Sequence, residues 1–141
     1  MTAKEYLNQV RKLKRQTDSK MRQCEDIREK ITFLQGINYE KDKIQSSVSD
    51  QLAETMAVLL DLEQETVWYI NKYNIMYNEA VNRINGLSRK EYIDILMQRY
   101  LGDDDDKRKF EYIAYKTNYS YNRIRHMHGE ALQEFERKYL R

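Results

Sequence analysis

Proline is absent and glycine occurs only four times, so the 141-residue chain contains almost nothing that interrupts a helix. β-Branched residues are few and nowhere alternate with polar ones for long, which argues against sheet. An all-α protein is expected. Cys24 is the only cysteine, which excludes an internal disulfide and fits a reducing cytoplasm. No apolar run approaches the ~18 residues needed to cross a bilayer. The opening Met1-Thr2-Ala3-Lys4-Glu5 is polar and lacks the apolar middle of a secretory signal. The expectation is a cytoplasmic protein with no membrane partner.

Chemistry is equally sparse. There is no glycine-rich phosphate loop and no nucleophile motif with a nearby base, so neither an enzyme nor a cofactor is expected. His126 and His128 are two residues apart, which turns them to different helix faces. With no cysteine or third histidine nearby, the spacing does not support a zinc site.

Net charge is only +2, yet it is unevenly spread. Residues 1–35 carry nine Lys/Arg against five Asp/Glu, and residues 36–84 carry four against eight. Residues 85–106 carry three against six, whereas residues 107–141 carry nine against four. A basic C-terminal segment behind an acidic middle is the asymmetry of an electrostatic footprint for DNA.

Two heptad-like stripes fill the first 86 residues. Ala3, Tyr6, Val10, Leu13, Thr17, Lys20, Cys24, Ile27, Ile31 and Leu34 alternate by three and four positions, predicting a helix over 3–34 that Gly36 and Asn38 can end. Leu52, Met56, Leu59, Glu63, Thr66, Ile70, Tyr73, Tyr77, Ala80 and Ile84 predict a second helix over 50–84, capped by Ser49 or Asp50. Leu60, Val67, Trp68 and Val81 widen its apolar face, so it should touch more than one neighbour. The polar stretch 35–49 reads as the linker. Residues 1–86 are thus expected to form a long helical hairpin or coiled coil for oligomerisation or partner binding. Two helices alone bury little core, which favours a homodimer.

From residue 87 the pattern is more compact. Ser88-Arg89-Lys90-Glu91 has the spacing of a capping box and opens a helix with Tyr92, Ile93, Leu96, Met97, Tyr100 and Leu101 at helical intervals. Gly102 and the four aspartates Asp103–Asp106 form an acidic loop suited to the positive end of the next helix. Phe110, Ile113 and Ala114 share one face of a short helix. Asn118 stands where a turn needs a left-handed residue, Tyr119 can plug the core, and Ser120 is a good N-cap. Ile124, Met127, Ala131, Leu132 and Phe135 then give the inner face of a last helix. A helix-turn-helix over roughly 87–141 is expected.

That inner face leaves Tyr121, Asn122, Arg125, His126 and Gly129 pointing outward from the N-terminal turns. Arginine can chelate guanine and asparagine adenine in the major groove, so Ser120, Tyr121, Asn122, Arg125 and His126 are the candidate base contacts. Lys107, Arg108, Lys109, Lys116 and Arg123 are the candidate phosphate contacts. Gly129 costs about 1 kcal/mol in a helix interior, which close approach to another surface would explain.

At these residues the chain resembles the sigma-70 region 4-like phage proteins and, more loosely, the ArpU/RinA-type late-operon regulators of Gram-positive bacteria. The likeness lies in Ile95-Leu96-Met97-Gln98-Arg99-Tyr100-Leu101, Ile113-Ala114, Tyr119-Ser120-Tyr121 and His128-Gly129-Glu130-Ala131-Leu132, with Thr2-Ala3-Lys4-Glu5-Tyr6-Leu7 resembling the usual opening. Where the family pattern often has Trp-Glu before Ile-Ala, this chain has Phe110-Glu111, and its Asp103–Asp106 loop is longer. The resemblance implies a DNA-binding transcription regulator of a phage or phage-like element in a bacterial host cell. Two alternatives stay open. One is a helical adaptor for RNA polymerase or another partner, and the other is a packaging protein like the small terminase subunit.

Overall fold

The computed structural model describes the backbone of residues 1–40 and 46–141 and the side chains of residues 1–37 and 47–141. Among the described residues the chain is all α. Helix α1 spans Ala3–Glu40, α2 Ser46–Asn85, α3 Lys90–Leu101, α4 Phe110–Thr117 and α5 Tyr121–Tyr139, with a single 3₁₀ turn at Asp106–Arg108. No helix is long and apolar enough to cross a membrane.

Both long helices extend further than the sequence suggested. α1 runs through Gly36, and α2 starts before Ser49 and Asp50, which are therefore inside the helix and not its caps. One glycine costs a helix only about 1 kcal/mol, too little to stop a long helix in the absence of proline. Part of the expected linker, residues 41–45, lies outside the described residues. The start of α1 carries a feature that the sequence reading passed over. The Thr2 hydroxyl accepts from the Glu5 N–H at 3.1 Å, and the Glu5 carboxylate accepts from the Thr2 N–H at 3.1 Å, a reciprocal capping box.

The chain divides into two compact units, Met1–Leu13 with Tyr73–Arg141, and Lys14–Lys72. This differs from a boundary at 86/87, because Ala3, Tyr6, Leu7, Val10, Ala80 and Ile84 share one buried cluster with the C-terminal helices.

In the Lys14–Lys72 unit, α1 and α2 pack as an antiparallel pair: Thr17 bonds the Tyr69 carbonyl, Cys24 meets Thr66 at 3.3 Å, and Arg28 pairs with Glu63 at 3.1 Å. Partners advance along one helix as they retreat along the other. Thr17, Cys24 and Thr66 are the buried small residues of this seam, and Thr66 also bonds the Leu62 carbonyl at 2.7 Å. The seam is therefore narrow and partly polar.

The other unit has the larger core. Leu7, Ile84, Ile95, Leu96, Ile124 and Phe135 are essentially fully buried, each worth roughly 1.5–3 kcal/mol of transfer free energy. Polar tips are tied down at the edge. Tyr6 donates to Glu79 at 2.6 Å, its ring lies 5.5 Å from that of Phe135, and Arg83 sits over it. Burial and the Glu79 hydrogen bond raise the Tyr6 pKa well above the usual phenol value, so it stays a donor.

The expected capping box at Ser88 does not form. α3 begins at Lys90 with Arg89 as N-cap and no side-chain cap bond. The Ser88 N–H instead donates to the Glu134 carboxylate of α5 at 3.2 Å, a partner from 46 residues away that no local motif could announce.

Candidate nucleic-acid interface

α4, a three-residue turn and α5 form the helix-turn-helix that the sequence led us to expect. Asn118 adopts φ 62° and ψ 19°, the sole positive-φ non-glycine position among the described residues. A left-handed residue costs most side chains about 1 kcal/mol, and asparagine tolerates it. Ser120 is extended, and its hydroxyl accepts from the Arg123 N–H at 3.1 Å. Together these two residues stop α4 and start α5 in a new direction. Ala114, small and buried, faces the crossing, while Ile124 and Met127 anchor α5 from the inside.

The outward set lies where the pattern put it. Ser120, Tyr121, Asn122, Arg125 and His126 are all exposed. Between Tyr121 and Gly129 α5 has no carboxylate. Two acids further along α5 are engaged by the α3 side: Glu130 accepts from Tyr92 at 2.5 Å, and Glu134 accepts from the Ser88 N–H. Among the described residues no carboxylate pairs with Lys116, Arg123 or Arg125. Two aromatic rings brace the arginines, with Tyr119 5.0 Å from the Arg123 guanidinium and Tyr121 5.8 Å from that of Arg125. Apart from the neighbouring backbone of α5 itself, no described atom lies within 4 Å of where a Cβ on Gly129 would stand.

Of the candidate phosphate contacts, Lys107, Lys109, Lys116 and Arg123 are exposed, and Lys109 is 3.3 Å from Asp106. Arg108 is different and is corrected here. It is only 4% exposed; its Nε donates to the Gly102 carbonyl and its Nη1 lies 3.3 Å from Asp105. Its own carbonyl accepts from Arg99 at 3.0 Å. Arg108 is thus the pin of the acidic loop, too deeply buried to serve as an open phosphate contact. The aspartates are likewise spent locally, since Asp104 accepts from the Asp106 N–H at 2.9 Å.

Behind the exposed ridge lies an aromatic support. His128 is stacked on Tyr100 at 5.7 Å and edge-on to Phe110 at 4.9 Å, and Arg99 covers Phe110 at 4.4 Å. Phe110 also meets Tyr121 edge-on at 6.2 Å. Burial, with Arg99 and Lys4 adding to it, pushes the His128 pKa down to about 4. His128 therefore works as a neutral packing group. A sequence signal for this existed: residue 128 is one turn beyond Ile124 and one before Ala131 and Leu132, on the inner stripe.

Comparisons with protein-family models, with curated proteins and with solved structures found no match. The residues themselves carry the functional reading.

Proposed function

We propose that the C-terminal helix-turn-helix binds double-stranded DNA sequence-specifically, with the N-terminal turns of α5 in the major groove. The observation that carries this reading is the exposed face of α5 from Tyr121 to Gly129, free of carboxylates, with no ion pair on Arg125 among the described residues and the Tyr121 ring 5.8 Å from its guanidinium. Asn122 and Arg125 are the groups able to chelate a base edge. Tyr121 and His126 flank them, and the Ser120 hydroxyl proton stays free to donate while its oxygen caps the helix. Lys107, Lys109, Lys116 and Arg123 supply the sequence-independent attraction to phosphates.

In the terms of the family it resembles, the chain acts as a transcription regulator of a phage-like element, bound as a homodimer to two half-sites. Half-site centres would then lie about 34 Å apart, or a multiple of that. The test is selection of duplexes from a random pool by the full chain, followed by titration of the enriched sequence against a scrambled one. Enrichment of a common sequence, bound at least ~10³-fold more tightly than random duplex, is the expected result. Equal affinity for all duplexes would overturn direct reading.

A further inference from the structure

A run of ring and guanidinium contacts leads from α3 to the exposed start of α5. Arg99 covers the face of Phe110 at 4.4 Å, Phe110 meets Tyr121 edge-on at 6.2 Å, and the Arg125 guanidinium lies over the Tyr121 ring at 5.8 Å. The inner end of this run is fixed. The Arg99 Nη1 donates to the Arg108 carbonyl at 3.0 Å, and His128 packs edge-on against Phe110 at 4.9 Å. The outer end is open, since Tyr121 and Arg125 are both exposed. They stand at positions i and i+4 of α5, the spacing that brings two side chains together on one helix face.

What the chain engages in Tyr121 is the ring. The hydroxyls of Tyr6, Tyr92 and Tyr100 are each hydrogen-bonded within the chain, to Glu79, Glu130 and His128. Among the described residues that of Tyr121 is not. A guanidinium carries its N–H donors in its own plane, so a ring against its face leaves every donor free, whereas a carboxylate takes the edge. Arg108 shows the second arrangement, with Nε on the Gly102 carbonyl and Nη1 beside Asp105. Arg125 shows the first, because among the described residues no carboxylate pairs with it. A side chain held in this way has already given up rotamer freedom that binding would otherwise take from it.

We infer that Tyr121 is a positioning residue: its ring, fixed by Phe110, holds Arg125 by the face, so that the donor fork meets a guanine edge already oriented. The inference rests on the DNA reading proposed above and sharpens it. Tyr121 leaves the set of base contacts, and Arg125 owes part of its discrimination to the contacts behind it. A hydrogen-bonded base contact by Tyr121 would need its hydroxyl, so ring and hydroxyl can be tested apart.

The full chain tests this in two arms. Without DNA, nuclear magnetic resonance should show the Arg125 side-chain protons moved upfield by the Tyr121 ring. Tyr121→Phe should keep that shift and Tyr121→Leu should abolish it, with helical circular dichroism unchanged because the side chain is exposed. On the selected duplex, Tyr121→Leu should bind about 3- to 10-fold more weakly than the wild type, and the ring of Tyr121→Phe should recover that loss. Random duplex should hardly respond, and in an Arg125→Ala background Tyr121→Leu should cost nothing further. Three results would each overturn the inference while a selective wild type keeps the DNA reading: no ring-induced shift on Arg125, Tyr121→Phe as weak as Tyr121→Leu, or losses that simply add to those of Arg125→Ala. A wild type that binds every duplex alike would overturn the DNA reading and the role in base contact with it. The shift measured without DNA then still separates a ring that holds the guanidinium from one that does not.

Discussion

The hydroxyl of Tyr100 lies 2.9 Å from Nε2 of His128, with the two rings stacked behind the exposed ridge of α5. Burial raises the Tyr100 pKa, so the phenol keeps its proton, and with a neutral imidazole either partner can donate according to the ring's tautomer. His128 stays neutral in the folded chain down to about pH 4, whereas in the unfolded chain it takes a proton below its ordinary 6.5. Between those values the unfolded state binds more protons, so stability falls as pH drops through the window and levels off below about 4. His128→Gln keeps an acceptor for Tyr100 but does not titrate. Urea unfolding at several pH values should show the wild type losing more stability than this variant between pH 6.5 and 4. Parallel losses would mean that His128 is not held neutral.

Arg108→Ala should act on stability and not on DNA. The substitution leaves the Gly102 carbonyl without its donor and opens a space under the acidic loop. Loss of a hydrogen bond to a charged group in a buried setting costs about 1.5–3 kcal/mol. Thermal unfolding should show that loss, while DNA affinity of the folded fraction, and its salt dependence, stay as in the wild type. A reduced salt slope would restore Arg108 to the phosphate contacts.

These two residues also mark the limits of what the sequence made legible. The helices, the Asn118 turn, the Ser120 cap and the outward set on α5 were readable because each obeys a local rule of spacing or backbone preference. Arg108 was not, since nothing separates a buried arginine from its neighbours Lys107 and Lys109 in a basic run. Ser88 failed for the same kind of reason: the local motif was present, but Glu134 of α5 took the backbone N–H first. Thr2-Ala3-Lys4-Glu5 is the reverse case, a Thr-x-x-Glu spacing that forms a working cap. The tie between the first turns of α1 and the C-terminal core also escaped notice, because heptad spacing says that a face is covered and not by what.

Gly129→Ala should raise stability and lower DNA affinity together. Apart from the neighbouring backbone of α5, no described atom stands within 4 Å of the added methyl, and alanine in place of glycine in a helix interior gains about 0.5–1 kcal/mol. On the proposed reading the same methyl faces the duplex, on the stripe of Asn122, Arg125 and His126. Calorimetry and DNA titration of one preparation check both signs. An unchanged affinity would mean that α5 does not approach DNA as far along as its third turn.

Arg125 and Lys116 should fail in different ways. Arg125→Ala removes a bidentate base contact, so the selected duplex should lose about 1–3 kcal/mol of binding while random duplex loses far less. A second selection with this variant should return a relaxed preference at one position of each half-site. Lys116→Ala removes one phosphate contact. Specific and random duplexes should weaken alike, and the slope of log affinity against log salt should fall by about one unit. Arg125→Lys separates charge from shape: it keeps the attraction to phosphates but loses the fork, and should therefore resemble Arg125→Ala on the selected duplex and wild type on the random one. If Arg125→Lys restored full specific affinity, Arg125 would be a phosphate contact, and base reading would fall to Asn122 and its neighbours.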